Sequence, residues 1–156
     1  MTSGVVIRPA APEELAAVRA LFLEYAATLP VPIGLPDFEV EVRTLPGVYA
    51  PPRGALLVAV QGDRVGGTVA LRPLAPDTCE MKRLYLHPAL RGLGVGRQLV
   101  EAVIQAGRAA GYRRMRLDTL STMTAARRLY RAFGFKTIPP YGDHPVQHAE
   151  FLELDL

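Results

Sequence analysis

Apolar residues along this chain keep two different rhythms, and the places where the rhythm changes mark its elements. Val5 to Arg8 reads as a short first strand. Pro12 then opens a helix, at a position where its missing N–H does no harm. Leu15, Val18, Phe22, Tyr25 and Leu29 recur at three- and four-residue steps and give that helix one buried face. Pro30, Pro32 and Pro36 break the rhythm and predict a loop suited to a lid or a substrate wall. A short helix is expected over Phe38 to Thr44, followed by an irregular stretch at Pro46, Gly47 and the Pro51-Pro52 pair.

The rhythm then becomes that of strands. Ala55 to Val60 and Val65 to Pro73 are joined through Gln61-Gly62-Asp63-Arg64, which predicts a hairpin. A turn at Ala75-Pro76-Asp77 leads into a strand from Cys79 to Leu86. A helix over Arg97 to Ala110 stops at Gly111, where glycine suits a C-terminal cap. Arg114 to Thr119 is the next strand, and Ser121 or Thr122 is placed to cap a helix that carries Tyr130 and ends at Gly134. Phe135 to Pro139 and Ala149 to Leu154 complete a sheet. An antiparallel first half followed by a strand–helix–strand crossover predicts an α/β (α+β) fold: a mixed, mostly antiparallel twisted sheet with helices on both faces.

Between the strand ending at Leu86 and the helix after it lies Arg91-Gly92-Leu93-Gly94-Val95-Gly96. Glycines let the backbone approach a ligand closely, and the following helix points its unpaired N–H groups and positive dipole end at the same spot. Such a loop suits a diphosphate. A P-loop would need Gly-Lys-Ser/Thr, whereas Gly96 is followed by Arg97-Gln98. A dinucleotide fingerprint, G-x-G-x-x-G, fails in both registers, since the third position falls on Arg97 or Leu99. Asp118 alone mimics that design, standing where a ribose-binding acid would be. The pattern R-x-x-G-x-G is met by Arg91, Gly94 and Gly96.

That pattern, together with Tyr130-Arg131-Ala132-Phe133-Gly134-Phe135 at the expected distance, resembles the core of the GNAT N-acetyltransferase superfamily over Cys79 to Lys136. The resemblance implies the GNAT-like acyl-CoA N-acyltransferase fold and acetyl-CoA as co-substrate. It assigns the coenzyme's pyrophosphate to Arg91, Gly92, Leu93, Gly94, Val95, Gly96 and Arg97. The backbones of Leu84, Tyr85 and Leu86 would pair with the pantetheine arm in a gap opened by a bulge. The N–H near Leu86 would hold the acyl oxygen, and Tyr130 would act as general acid. The implied reaction is direct attack by a primary amine of a small molecule or peptide. Many relatives carry Asn seven residues before the tyrosine, where this chain has Met123. Relatives are often homodimers, which the resemblance carries over only as an analogy.

Length and composition narrow the class. The 156 residues suit one domain spanning 1–156, and 49% hydrophobic with 21% charged residues is ordinary for a globule. No apolar run approaches the roughly 20 residues of a membrane span, and no secretion signal is visible at Met1 to Ile7. With Cys79 the single cysteine, an internal disulfide and a cysteine-based zinc cluster are excluded and a cytoplasmic setting is expected. The three histidines lack a ligand spacing, so no metal is expected. Residues 82 to 136 hold twelve Lys/Arg and two acids, a balance of +10, against −7 for the rest. A nucleic-acid-binding module could use that basic span, but it lacks a reading motif and interleaved aromatics. A non-catalytic acyl-CoA sensor with the same fold is a further alternative.

Glu80 is the leading general base. Strict alternation puts it on the side of Lys82, Leu84 and Leu86; its competing reading is an ion pair with Lys82 or a nearby arginine. His144 and His148 are alternative bases, their neutral rings being matched to proton removal near pH 7. Cys79 reads as a buried hydrophobe in preference to an acyl carrier. Glu24, Asp37, Glu39 and Glu41 lie in or beside the Pro-rich N-terminal region and hint at a cationic acceptor.

Overall fold

The computed structural model describes residues 4–29, 37–142 and 149–156. Among these, seven strands form one sheet: β1 Val5–Pro9, β2 Ala55–Gln61, β3 Arg64–Ala75, β4 Thr78–Leu86, β5 Arg114–Leu120, β6 Lys136–Ile138 and β7 Ala149–Asp155. Their order across the sheet is β1-β2-β3-β4-β5-β7-β6. Four α-helices accompany them: α1 Leu15–Thr28, α2 Asp37–Arg43, α3 Val95–Ala109 and α4 Thr124–Ala132. Every neighbouring pair is antiparallel except β4 and β5, which the α3 crossover makes parallel. The expected loop at Pro30 to Pro36 lies outside the described residues.

The continuous apolar run of β2 has a simple cause: both faces of the sheet are covered. Leu56, Val58 and Val60 join Val18 and Phe22 of α1 and Phe38 and Val42 of α2 in one core. Leu57 and Ala59 join Leu99, Val103 and Ile104 of α3 in the other. The first helix is entered through a 3₁₀ turn, Pro12–Glu14, in which the Glu14 side chain accepts the Ala11 N–H at 2.8 Å. Neither Ser121 nor Thr122 caps α4. The chain turns once more, with Met123 N–H bonded to Leu120 C=O at 2.9 Å, so that Met123 holds the capping position without a side-chain bond.

One departure from regularity sets up the rest of the molecule. Arg83 sits at φ 60°, the sole non-glycine residue with positive φ among those described. In the β3–β4 ladder Thr68 stands opposite Tyr85 and Ala70 opposite Lys82, so Arg83 and Leu84 together face the single residue Val69. This is a β-bulge, which bends and twists the strand that carries it. On its other edge β4 pairs with β5 only from Thr78 to Glu80. Beyond Glu80 the two strands part, leaving a gap bordered by the last six residues of β4.

The bulge also overturns the expected alternation. Glu80 and Lys82 face α1 and α2. So do the next residue, Arg83, bonded to Glu41 of α2, and Tyr85, bonded to Glu24 of α1. Leu84 and Leu86 instead pack into the α3 core. The extra residue shifts the register of faces by one.

Candidate active site

A cavity of about 430 Å³ opens where β4 and β5 part. From the sheet it is lined by Arg72, Glu80, Lys82, Arg83, Leu84 and Asp118; from the helices and loops, by Tyr25, Phe38, Glu41, Met123, Tyr130 and Tyr141 among others. Its residues come from both sides of the sheet, since Tyr130 belongs to α4 and the α3-side core. Tyr130 therefore reaches the cavity through the gap. Its ring meets Phe135 edge-on at 5.9 Å, and it is 6% exposed. Burial pushes its hydroxyl well above the ordinary tyrosine value, and the nearby Tyr25 and Asp118 push it further. Among the described residues no hydrogen bond occupies that hydroxyl.

Glu80 lines the same cavity and is 3% exposed. Arg72 Nε donates to one carboxylate oxygen at 2.7 Å and Tyr141 Oη to the other at 2.8 Å. Its pairing is thus with an arginine, across the β3–β4 ladder. A carboxylate offers about four lone-pair sites, so each oxygen can still accept another donor. Burial raises the Tyr141 hydroxyl, and the adjacent Glu80 charge adds to the effect.

The bulge itself is clamped. Arg83 donates from Nε and Nη2 to the two oxygens of Glu41, at 2.7 and 2.9 Å, and its guanidinium lies 5.2 Å from the Phe38 ring centre. Burial raises the Glu41 pKa, but the bonds and charge of Arg83 outweigh it and hold the carboxyl below its ordinary value. A group shifted this way adds stability above its unfolded-state pKa and loses it on acidification. Glu41→Ala strands a buried guanidinium, and we expect a loss on the order of 3 kcal/mol in denaturant unfolding at pH 7. That deficit should shrink below the ordinary glutamate value of 4.5.

Arg91 to Arg97 lies at the far end of the β4 edge, and none of its residues lines the cavity. Gly92 and Gly94 sit at φ 78° and 79°, and Gly94 caps α3. A Cβ added at either would meet no atom within 4 Å, so open space fronts the loop where a phosphate would approach. Val95 is buried beneath it, while Arg91, Gly92, Leu93, Gly94 and Arg97 are exposed. Arg91 Nε donates to the Leu86 carbonyl at 3.1 Å, tying the loop to the strand end, and Arg97 lies over the Phe133 ring at 4.9 Å. Positive-φ glycines, a helix start and a free strand edge fit a diphosphate followed by an extended amide-bearing arm.

A comparison with known families matches residues 19–135 to the acetyltransferase (GNAT) family. The chain belongs to that family. A GNAT relative from Schizosaccharomyces pombe, known as an uncharacterised N-acetyltransferase, is 37% identical over 147 residues, 93% of this chain and 90% of that protein. Another N-acetyltransferase, from Dictyostelium discoideum, is 26% identical over 92% of this chain and 95% of its own length. Among solved structures, an acetyltransferase from Streptococcus agalactiae superposes with a TM-score of 0.81 at 23% identity, covering 99% of both chains. One from Salmonella typhimurium, solved with acetyl-CoA, gives 0.76 at 22% identity over 98% of this chain and 94% of that one. The GNAT fold binds acetyl-CoA, and this chain is an N-acetyltransferase.

Other readings lose their support. Asp118 lines the cavity and is not beside the glycine loop, which removes the dinucleotide analogy. Part of the basic span is paired with acids: Arg83 with Glu41, Arg116 with Glu153, and Arg127 and Arg131 with the one carboxylate of Glu150. Cys79 is buried, its thiol pushed up to about 12 by burial, and it donates to Arg114 C=O. His144 and His148 lie outside the described residues. Among the acids that hinted at a cationic acceptor, Glu41 is tied to Arg83 and Glu24 accepts from Tyr85. The sequence reading missed Arg72 and Tyr141. Plain counting outward from the Pro76-Asp77 turn sets Pro73 opposite Glu80; a register shift between Pro73 and Ala75 brings Arg72 there instead.

Proposed function

We propose that this GNAT chain moves the acetyl group of acetyl-CoA directly onto a primary amine of a small molecule or peptide. The observation that carries this reading is Tyr130 reaching through the β4–β5 gap into a cavity built mainly on the opposite face. A coenzyme arm entering from the α3 side and an amine entering from the α1 side would meet there.

The backbone N–H groups from Arg91 to Arg97 bind the diphosphate, with Gly92 and Gly94 allowing close approach. The edge of β4 at Leu84, Tyr85 and Leu86 receives the pantetheine amides as an added strand would. The Leu86 carbonyl is held by Arg91, and its N–H is the donor aimed at the acyl oxygen. Acetyl-CoA, when bound, supplies an activated acyl thioester. Transfer forms a C–N bond and breaks a C–S bond. Glu80, through water, takes the ammonium proton. Tyr130 Oη keeps its proton until it donates it toward the departing sulfur, and the second proton that the nitrogen sheds as the amide forms returns to Tyr130.

Parallel calorimetric titrations with acetyl-CoA, coenzyme A and NAD test the reading. Binding of the first two and not NAD, followed by thiol release when amines are added, is expected. Absence of coenzyme A binding would reduce Arg91 to Gly96 to a structural turn. Binding without thiol release across an amine panel would leave an acyl-CoA sensor.

A further inference from the structure

The charges in the cavity are not equivalent. Arg83 and Glu41 close on each other with two bonds, and Glu80 is held by Arg72 and Tyr141. Asp37 stands exposed at the rim. What remains is Lys82 on β4 and Asp118 on β5, facing one another across the parting strands at 3.9 Å. That is the outer limit of an ion pair, and both side chains are partly sheltered, 21% and 35% exposed. This opposed pair spans the gap through which Tyr130 reaches.

We infer that the acceptor is an α-amino acid, whose ammonium binds Asp118 and whose carboxylate binds Lys82. The inference rests on the amine-acetylating reading above. A plain amine drawn to Asp118 would take that carboxylate from Lys82 and leave a mostly sheltered ammonium without its ion-pair carboxylate, at an electrostatic penalty. A zwitterion replaces the pair with two, because its carboxylate is one carbon from its amine. Arg72 adds to the same subsite. Among the described residues only its Nε is bonded, to Glu80, and the residue lines the cavity. Opposite Lys82 in the ladder is the small Ala70, which leaves room between the two cations. Tyr25, Phe38, Leu74 and Phe151 wall the remainder and suit an apolar side chain.

Thiol release is measured with matched pairs: leucine against isopentylamine, phenylalanine against phenethylamine, and putrescine as a dication. The wild-type protein should favour each amino acid over its decarboxylated partner about tenfold to hundredfold in kcat/KM, the range expected for one charge-assisted contact. Lys82→Met should bring that ratio close to one, and Lys82→Glu should invert it toward putrescine. Equal or better turnover of the plain amines by the wild-type protein would overturn this inference and leave the amine-acetylating reading intact. No turnover of any amine, with acetyl-CoA bound, would remove both. The wild-type comparison decides the matter even where a Lys82 variant fails to fold.

Discussion

Tyr130→Phe should lower kcat by about 10²- to 10³-fold while changing coenzyme A affinity by less than about threefold. The loss has the size of a positioned general acid. The substitution removes one oxygen and keeps the ring, so the edge-on contact with Phe135 and the packing of α4 on the core persist. No hydrogen bond within the described structure is lost with that oxygen, so the stability change should be small. A core tyrosine with no chemical duty would show the reverse: little change in turnover. Steady-state kinetics with a saturating amine, together with coenzyme A calorimetry, separates the two. A fall in affinity that matched the fall in rate would make Tyr130 a binding residue.

Gly94→Val should weaken coenzyme A binding by more than about a hundredfold, or some 2.7 kcal/mol, and remove activity with it. Two effects combine. At φ 79° a β-branched residue is strained by roughly 1–2 kcal/mol. Its side chain also projects into the open space in front of the α3 N-terminus, where nothing in the protein now stands. Gly62→Val isolates the first effect. Gly62 turns the β2–β3 hairpin at φ 64°, again with open space where a side chain would project, but it belongs to neither the loop nor the cavity. That variant should lose a similar amount of stability and keep its coenzyme affinity. Equal affinities for the two variants would remove the phosphate role from the loop.

Local chemistry made much of the protein legible from the sequence. The proline at residue 12, the helical spacing from Leu15 and the apolar run of β2 report on neighbours within a few positions, where propensity and periodicity act. The loop from Arg91 to Gly96 was readable for the same reason: glycine content, a preceding strand and a following helix are all local. Tyr130 needed the family resemblance as well, because an apolar helix face by itself equally describes a core tyrosine.

The tertiary structure decided what those residues face. An arginine is not a residue that local preference would place at positive φ, so strict alternation put Lys82, Leu84 and Leu86 on one side. Arg83 is held there by Glu41, 42 positions earlier, and a constraint of that span leaves no local mark in the sequence. The bulge sends Lys82 and Arg83 together to the α1–α2 face and turns Leu84 and Leu86 to the other, on the stretch where β4 no longer pairs with β5. Glu80 meets Arg72 because of a register shift between Pro73 and Ala75, and its bond from Tyr141, 61 positions away, follows only from tertiary packing. Spacing fixed which residues were available; long-range packing chose which of them share a cavity.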